Sequence, residues 1–333
     1  MSRFFVALVA FAVFFSIAAP AQSSGQAAQF KRMGWSNTDF SKTSIDLDEI
    51  MSGGPPRDGI PPIDDPKFES VPDVDNLVDR EPVMSVAING DARAYPLRIM
   101  IWHEIVNDNI GGVPVSVTYC PLCNAAIAFD RRIDGQVLDF GTSGLLRHSD
   151  LIMYDRQSDS WWQQFSGEAI VGAMTGTSLT MLPARLESWA DFRSRHPDGK
   201  VLVPNDPGLR DYGRNPYFGY DRSAKPFLYN GAMPEGISPM ARVVVYRDGG
   251  KAFAVALTHL ARQGRLDQGP VKLSWKAGQA SALDTEELAK GRDVGSVTVM
   301  RRDSDGTYRD MPHDVTFAFV VEAFHPGTAI VKE

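Results

Sequence analysis

A mainly β fold of α+β type, built from antiparallel hairpins with a few short helices, is what this sequence predicts. Three observations carry that expectation. Short runs rich in Val, Ile, Phe and Tyr recur through the chain. They are punctuated by Asn89-Gly90, Asp134-Gly135, Gly249-Gly250 and Asp305-Gly306, pairs that suit tight hairpin turns. Segments with helical spacing are few and short. Composition agrees with a folded chain: 333 residues with 43% hydrophobic and 23% charged side chains fit a globular protein and exclude a disordered or collagen-like one. The length suits two domains or one large one. A net charge of −7 argues against a nucleic-acid partner, because phosphate neutralisation needs a Lys/Arg excess.

Residues 1–21 read as a secretory leader: Arg3, an apolar run from Phe4 to Ala18, then Ala19-Pro20-Ala21 with cleavage after Ala21. A retained membrane anchor is the alternative, but the run is short for a bilayer and has no charged stop-transfer flank. With no later stretch of comparable length and apolarity, no transmembrane anchor is expected after cleavage. The mature chain is then an exported protein, periplasmic or extracellular, in an oxidising setting.

Residues 22–75 form a Pro/Gly-rich arm. Prolines from Pro55 to Pro66 forbid helix interiors and central strands, so an extended segment is expected, with Ile60, Ile63 and Phe68 docking it on the core. Residues 76–333 are read as a single β-rich domain. Strand runs fall at Val83 to Ile88, Val113 to Tyr119, Ala125 to Phe129, Val137 to Phe140 and Leu151 to Tyr154, and later at Val243 to Tyr246, Val271 to Trp275, Val297 to Met300 and Val315 to Val321. Ser188 with Asp191 marks a helix start ending near His196-Pro197. Thr285 to Lys290, with Asp284 as cap, is a second short candidate. Leu97 to Val106 and Leu257 to Arg262 are too continuously apolar to decide between helix and strand.

Gly90, Ala92, Ala94 and Leu97 are echoed at Gly250, Ala252, Ala254 and Leu257. A duplicated β unit explains this echo, and so does the repeated turn chemistry of similar hairpins. A real duplication would confine any cysteine chemistry to the first half.

The chain has two cysteines, in Tyr119-Cys120-Pro121-Leu122-Cys123-Asn124. A pair at this spacing chelates a metal, forms a redox-active dithiol, or closes a structural disulfide. The thioredoxin arrangement needs a long helix after the motif, and none follows. A tetrahedral metal site needs one or two further ligands, for which His103, His148 and His325 are candidates, and thiolates with imidazole suit copper or zinc. Glu104 or Asp150 would then orient an imidazole. Gly141-Thr142-Ser143-Gly144 fails as a nucleophile elbow and lacks the P-loop lysine, so no nucleotide cofactor is expected. Trp161, Trp162 and Phe165 read as core. The Tyr-rich stretch from Arg210 to Tyr220 reads as a loop that packs on the domain or covers a site.

Ser52 to Pro62, Trp102 to Asp108, Tyr119 to Cys123, Ser149 to Arg156 and Ala323 to Pro326 together resemble an uncharacterised exported family, domain of unknown function (DUF) 3179. The resemblance implies that His103, Cys120, Cys123 and His325 lie in recurring blocks and that His148 does not, which ranks His103 above His325 and both above His148. It implies no activity. The leading expectation is a soft transition-metal site of Cys120, Cys123, His103 and His325. The rivals are a thiol-disulfide redox protein using Cys120 as nucleophile and Cys123 as resolving thiol, and a non-enzymatic interaction module with a structural disulfide.

Overall fold

The computed structural model describes residues 23–333, so the leader expected at 1–21 lies outside the described residues. The chain is mostly β, with several antiparallel sheets and five short α-helices among the described residues. None of these helices is long and apolar enough to cross a membrane.

The expected hairpins form. Asn89-Gly90 and Gly249-Gly250 join Pro82–Ile88 to Asp91–Pro96 and Arg242–Asp248 to Lys251–Ala256, with positive φ at both turn residues as type I′ geometry requires. The two ambiguous stretches resolve into the short helices Leu97–His103 and Leu257–Gln263. Ser188 caps Trp189–Arg195 by accepting from the Asp191 amide at 3.2 Å. Two expectations need correction. Thr285 to Lys290 yields only the single 3-10 turn Leu288–Lys290, because the Asp284 carboxylate is taken by Arg222 and the Arg292 amide. The arm opens with a helix, Ser23–Arg32, whose Gln and Ala residues favour it and whose Phe30 packs edge-on to Trp161. Past it the proline-rich stretch is extended, as expected, and Ile63 is buried.

The echo between the halves is a duplication of topology. Val83 pairs with Pro96 and Val243 with Ala256, a constant offset of 160 residues. Each hairpin gains an antiparallel strand on one side, Arg185–Ser188 or His313–Phe317, and a parallel one on the other, Lys200–Val203 or Ile330–Val331. A short helix joins those two flanking strands in both halves, Trp189–Arg195 or Ala318–Phe324. The halves meet reciprocally: Ala125–Asp130 packs on His313–Phe317, and Ser296–Arg302 on Arg185–Ser188.

Two departures from the repeat set up the site. Between Val113–Cys120 and Ala125–Asp130 the first half has the tight cysteine turn, where the second half runs a long loop from Lys276 to Ser296. The first half also inserts a sheet comprising Ile50–Ser52, Phe140–Arg147, Asp150–Asp155, Trp161–Gln163 and Glu168–Val171. Trp161 and Trp162 are fully buried there, as core.

Candidate metal centre

The strand Val113–Cys120 delivers Cys120 to its end, and the chain reverses through Pro121 to Asn124, closed by the Asn124 amide donating to Pro121 O at 3.1 Å. Asn124 takes a positive φ of 53°, which its short polar side chain tolerates. The second half pins the turn: Asn124 Nδ2 donates to Val315 O at 2.6 Å and Thr316 Oγ1 to Cys123 O at 2.7 Å. Both cysteines are free thiols and buried.

The inserted sheet brings Asp150 against them. Ligand atoms of Cys120, Cys123 and Asp150 all lie within 4.8 Å of one another, and this is the group of such atoms found among the described residues. Asp150 Oδ2 accepts from Gln163 Nε2 at 2.6 Å and from the Phe165 amide at 2.9 Å. Oδ1 is buried and no N–H or O–H donor meets it among the described residues; both thiols hydrogen-bond this carboxylate weakly and favour its ionised form. A buried carboxylate oxygen left this way is costly unless something cationic or acidic meets it.

The electrostatics point the same way. Burial pushes the Cys120 thiol up, and burial together with Cys120 and Asp150 pushes Cys123 up well beyond its usual value. Burial also raises Asp150 to about 6, Asp314 to about 7 and Glu104 to about 8; the Asp150 charge adds to the last two. Several acidic groups are thus crowded together, and the Asp150 charge disfavours ionisation of Glu104, Asp314 and both thiols.

Among the described residues, five of the nine non-glycine residues with positive φ gather here: Glu104, Asn124, His148, Ser149 and Leu228. The other four are Asp or Asn. Glu104, Ser149 and Leu228 tolerate this region poorly, so the backbone around the sulfurs is held under strain.

A cavity of about 100 Å³ touches Cys120, Glu104, Tyr217 and Leu228. The proline arm roofs it. Gly53 N donates to Gly144 O at 2.8 Å, Asp58 N to Thr142 O at 2.9 Å and Thr142 Oγ1 to Ile60 O at 2.7 Å. The Tyr-rich loop closes another side, with Tyr220 OH donating to Leu122 O at 3.0 Å.

The expected imidazoles are not in the sulfur group. His103 donates from Nδ1 to Pro61 O at 2.7 Å and accepts at Nε2 from Tyr212 OH at 2.8 Å, so both ring nitrogens are engaged. His325 caps the last helix and accepts at Nε2 from Arg247 at 3.4 Å. His148 Nε2 lies 3.2 Å from Glu49 Oε2. Asp150, expected to orient an imidazole, stands with the sulfurs itself. Asp314 escaped the sequence reading, since only tertiary packing brings it near, whereas Tyr217 and Tyr220 lie in the Tyr-rich stretch read as packing on the domain or covering a site.

Two thiols and one carboxylate make three ligands, and a tetrahedral ion would keep one position open. The carboxylate suits zinc better than copper(I), which prefers an all-sulfur or sulfur-imidazole set. Thiol-disulfide exchange needs an accessible, acidic thiol, the opposite of what burial produces here.

The fold and site define a duplicated β protein with a buried dithiol-carboxylate cluster in its first half. Residues 57–328 match the family model described as Protein of unknown function (DUF3179), and the chain belongs to that family. No curated protein and no solved structure matches it.

Proposed function

We propose that the protein holds a single zinc-type divalent ion between Cys120, Cys123 and Asp150. The observation that carries this is the convergence of two buried thiols and the buried Asp150 carboxylate, whose ligand atoms lie within 4.8 Å of one another. A cation there meets the buried carboxylate, displaces the thiol protons and relieves the repulsion among Asp150, Glu104 and Asp314. Cys120 and Glu104 both line the small cavity, so a ligand position left open on that side would have the Glu104 carboxyl group beside it. An open position next to a buried acid favours a site that works on a small ligand over a closed structural one. The leader read at residues 1–21 supports an exported setting for this centre.

Elemental analysis of protein purified under reducing conditions and reconstituted with zinc tests the reading. About one ion per chain is expected, lost in Cys120→Ser and Cys123→Ser, weakened in Asp150→Asn and kept in His103→Ala. A folded wild-type chain that takes up no metal, or uptake indifferent to Cys123→Ser, overturns it. Preference for copper(I) with Asp150→Asn fully loaded would replace zinc by a sulfur-only site.

A further inference from the structure

A larger cavity, of about 410 Å³, has Arg210, Asp211 and Tyr212 of the Tyr-rich stretch in its wall and shares no residue with the small one. The helix Leu97–His103 lines it through Arg98 and Ile99, and Leu77, Leu202 and Val203 line it as well. Apolar side chains and two arginines thus face one space.

The two arginines stand differently. Arg98 donates to Glu81 from Nε at 2.8 Å and from Nη2 at 2.5 Å. Arg210 is half-buried and has no hydrogen-bond or ion-pair partner among the described residues. Its Nε is buried, whereas its two Nη groups are not, so the end of the fork is open to a ligand. A guanidinium keeps its proton, and this charge is always present. Arg210 Cζ sits 6.0 Å from the centre of the Trp102 ring, a cation–π contact that positions the fork. Burial and the Arg210 charge both hold His103 below its usual value, in keeping with a cation that nothing neutralises.

The acids of the wall do not answer it. Asp211 is exposed and engaged by Arg214 at 3.2 Å, and Glu69 is exposed and forms no ion pair with Arg210. The fold does not call for charge here either. At the constant offset of 160 residues, Thr258 stands in the second half for Arg98 and Ala241 for Glu81.

We infer that this cavity binds a small organic monocarboxylate, its carboxylate taken by the Arg210 Nη groups and its apolar body laid against Leu77, Ile99 and Val203. The planar fork matches a carboxylate with two parallel bonds. One unmatched positive charge suits one negative charge; a phosphate would bring about two, beside Glu69 and Glu81. The volume lies in the range of small-molecule pockets, about 300 to 1,000 Å³, and fits a single substituted ring or a branched chain.

Benzoate, benzamide and benzylamine, similar in size and different in charge, serve as probes in NMR titrations of the wild-type protein at neutral pH, with acetate as the charge without the ring. Benzoate is expected to bind at least tenfold more tightly than the other three. Arg210→Met removes a side chain that bonds to nothing in the protein, so the fold should persist, with a native-like amide spectrum, and the preference for benzoate should vanish. Val203→Trp fills the cavity from a half-buried wall position and should abolish binding. Equal affinity for the four probes, no binding of benzoate, or a preference that survives Arg210→Met overturns the inference. Zinc content read on the same samples keeps this result separate from the fate of the metal centre, on which the inference does not rest.

Discussion

Glu104 and Gly264 occupy the same place in the two halves of this protein, each ending a seven-residue helix, with φ/ψ of 59°/−32° and 68°/−34°. Glycine adopts that conformation freely, and glutamate does not. The first half therefore keeps a buried carboxylate at a position the fold itself fills with glycine. Glu104→Gly is expected to stabilise the metal-free protein by about 1 to 3 kcal/mol, the usual cost of such strain. Glu104→Ala retains the strained φ and should gain less. Urea denaturation of the chelator-treated proteins measures both, and a loss of stability in Glu104→Gly would assign Glu104 a structural duty instead.

The buried carboxyls set the pH response. Asp150, Asp314 and Glu104 are raised to about 6, 7 and 8, against unfolded values near about 4. The folded state thus binds more protons than the unfolded state between those limits, and stability falls as pH rises through the window. Metal-free protein should melt at a lower temperature at pH 8 than at pH 5. Glu104→Gln should flatten the upper part of that decline, by on the order of 4 kcal/mol at pH 8. Bound zinc should reverse the trend, since its ligands must lose protons. Thermal melts at several pH values, with and without chelator, give the comparison.

Gly144 holds the arm in place. Its φ is +74°, and a Cβ there would meet Pro55 O at 2.0 Å, so no side chain fits without moving the arm. Gly144→Ala is expected to loosen residues 53–62, expose the small cavity and raise the rate of thiol labelling in the folded protein at least tenfold. In the wild-type protein labelling should be slow until denaturant is added, because both thiols are buried and protonated. Equal labelling rates would mean that the arm is not the barrier.

Asp221 ties the Tyr-rich loop to the second half. It is fully buried, lies 3.4 Å from Arg242 and 3.3 Å from Arg292, and accepts from Ser281 Oγ at 2.6 Å. Arg242 is itself buried. Asp221→Ala strands that guanidinium and should cost about 3 to 5 kcal/mol. A cost under about 1 kcal/mol, read from urea midpoints, would show that the loop is held by other contacts.

The hairpins were legible because Asn-Gly and Gly-Gly encode their own backbone geometry, and Ser188 because a cap is a local signal. The helices at Leu97 and Leu257 were not, because both are buried on several faces and lose their period. Cys120 and Cys123 were visible as a pair. Their third companion was harder to see: Asp150 is brought in by a sheet whose pairing is set by distant residues, and the expected imidazole of His103 is claimed by Pro61 and Tyr212. Residue type suggested histidine; the group that tertiary packing sets beside the sulfurs is a carboxylate.

The reciprocal packing of the two halves is the arrangement that a self-associating chain leaves behind when two copies are fused. In such a homodimer every mutation appears twice, so a strained acid or a pair of reactive sulfurs burdens both subunits. A single chain carries each feature once: the second half ends its helix on Gly264, while the first holds Glu104 and the two sulfurs.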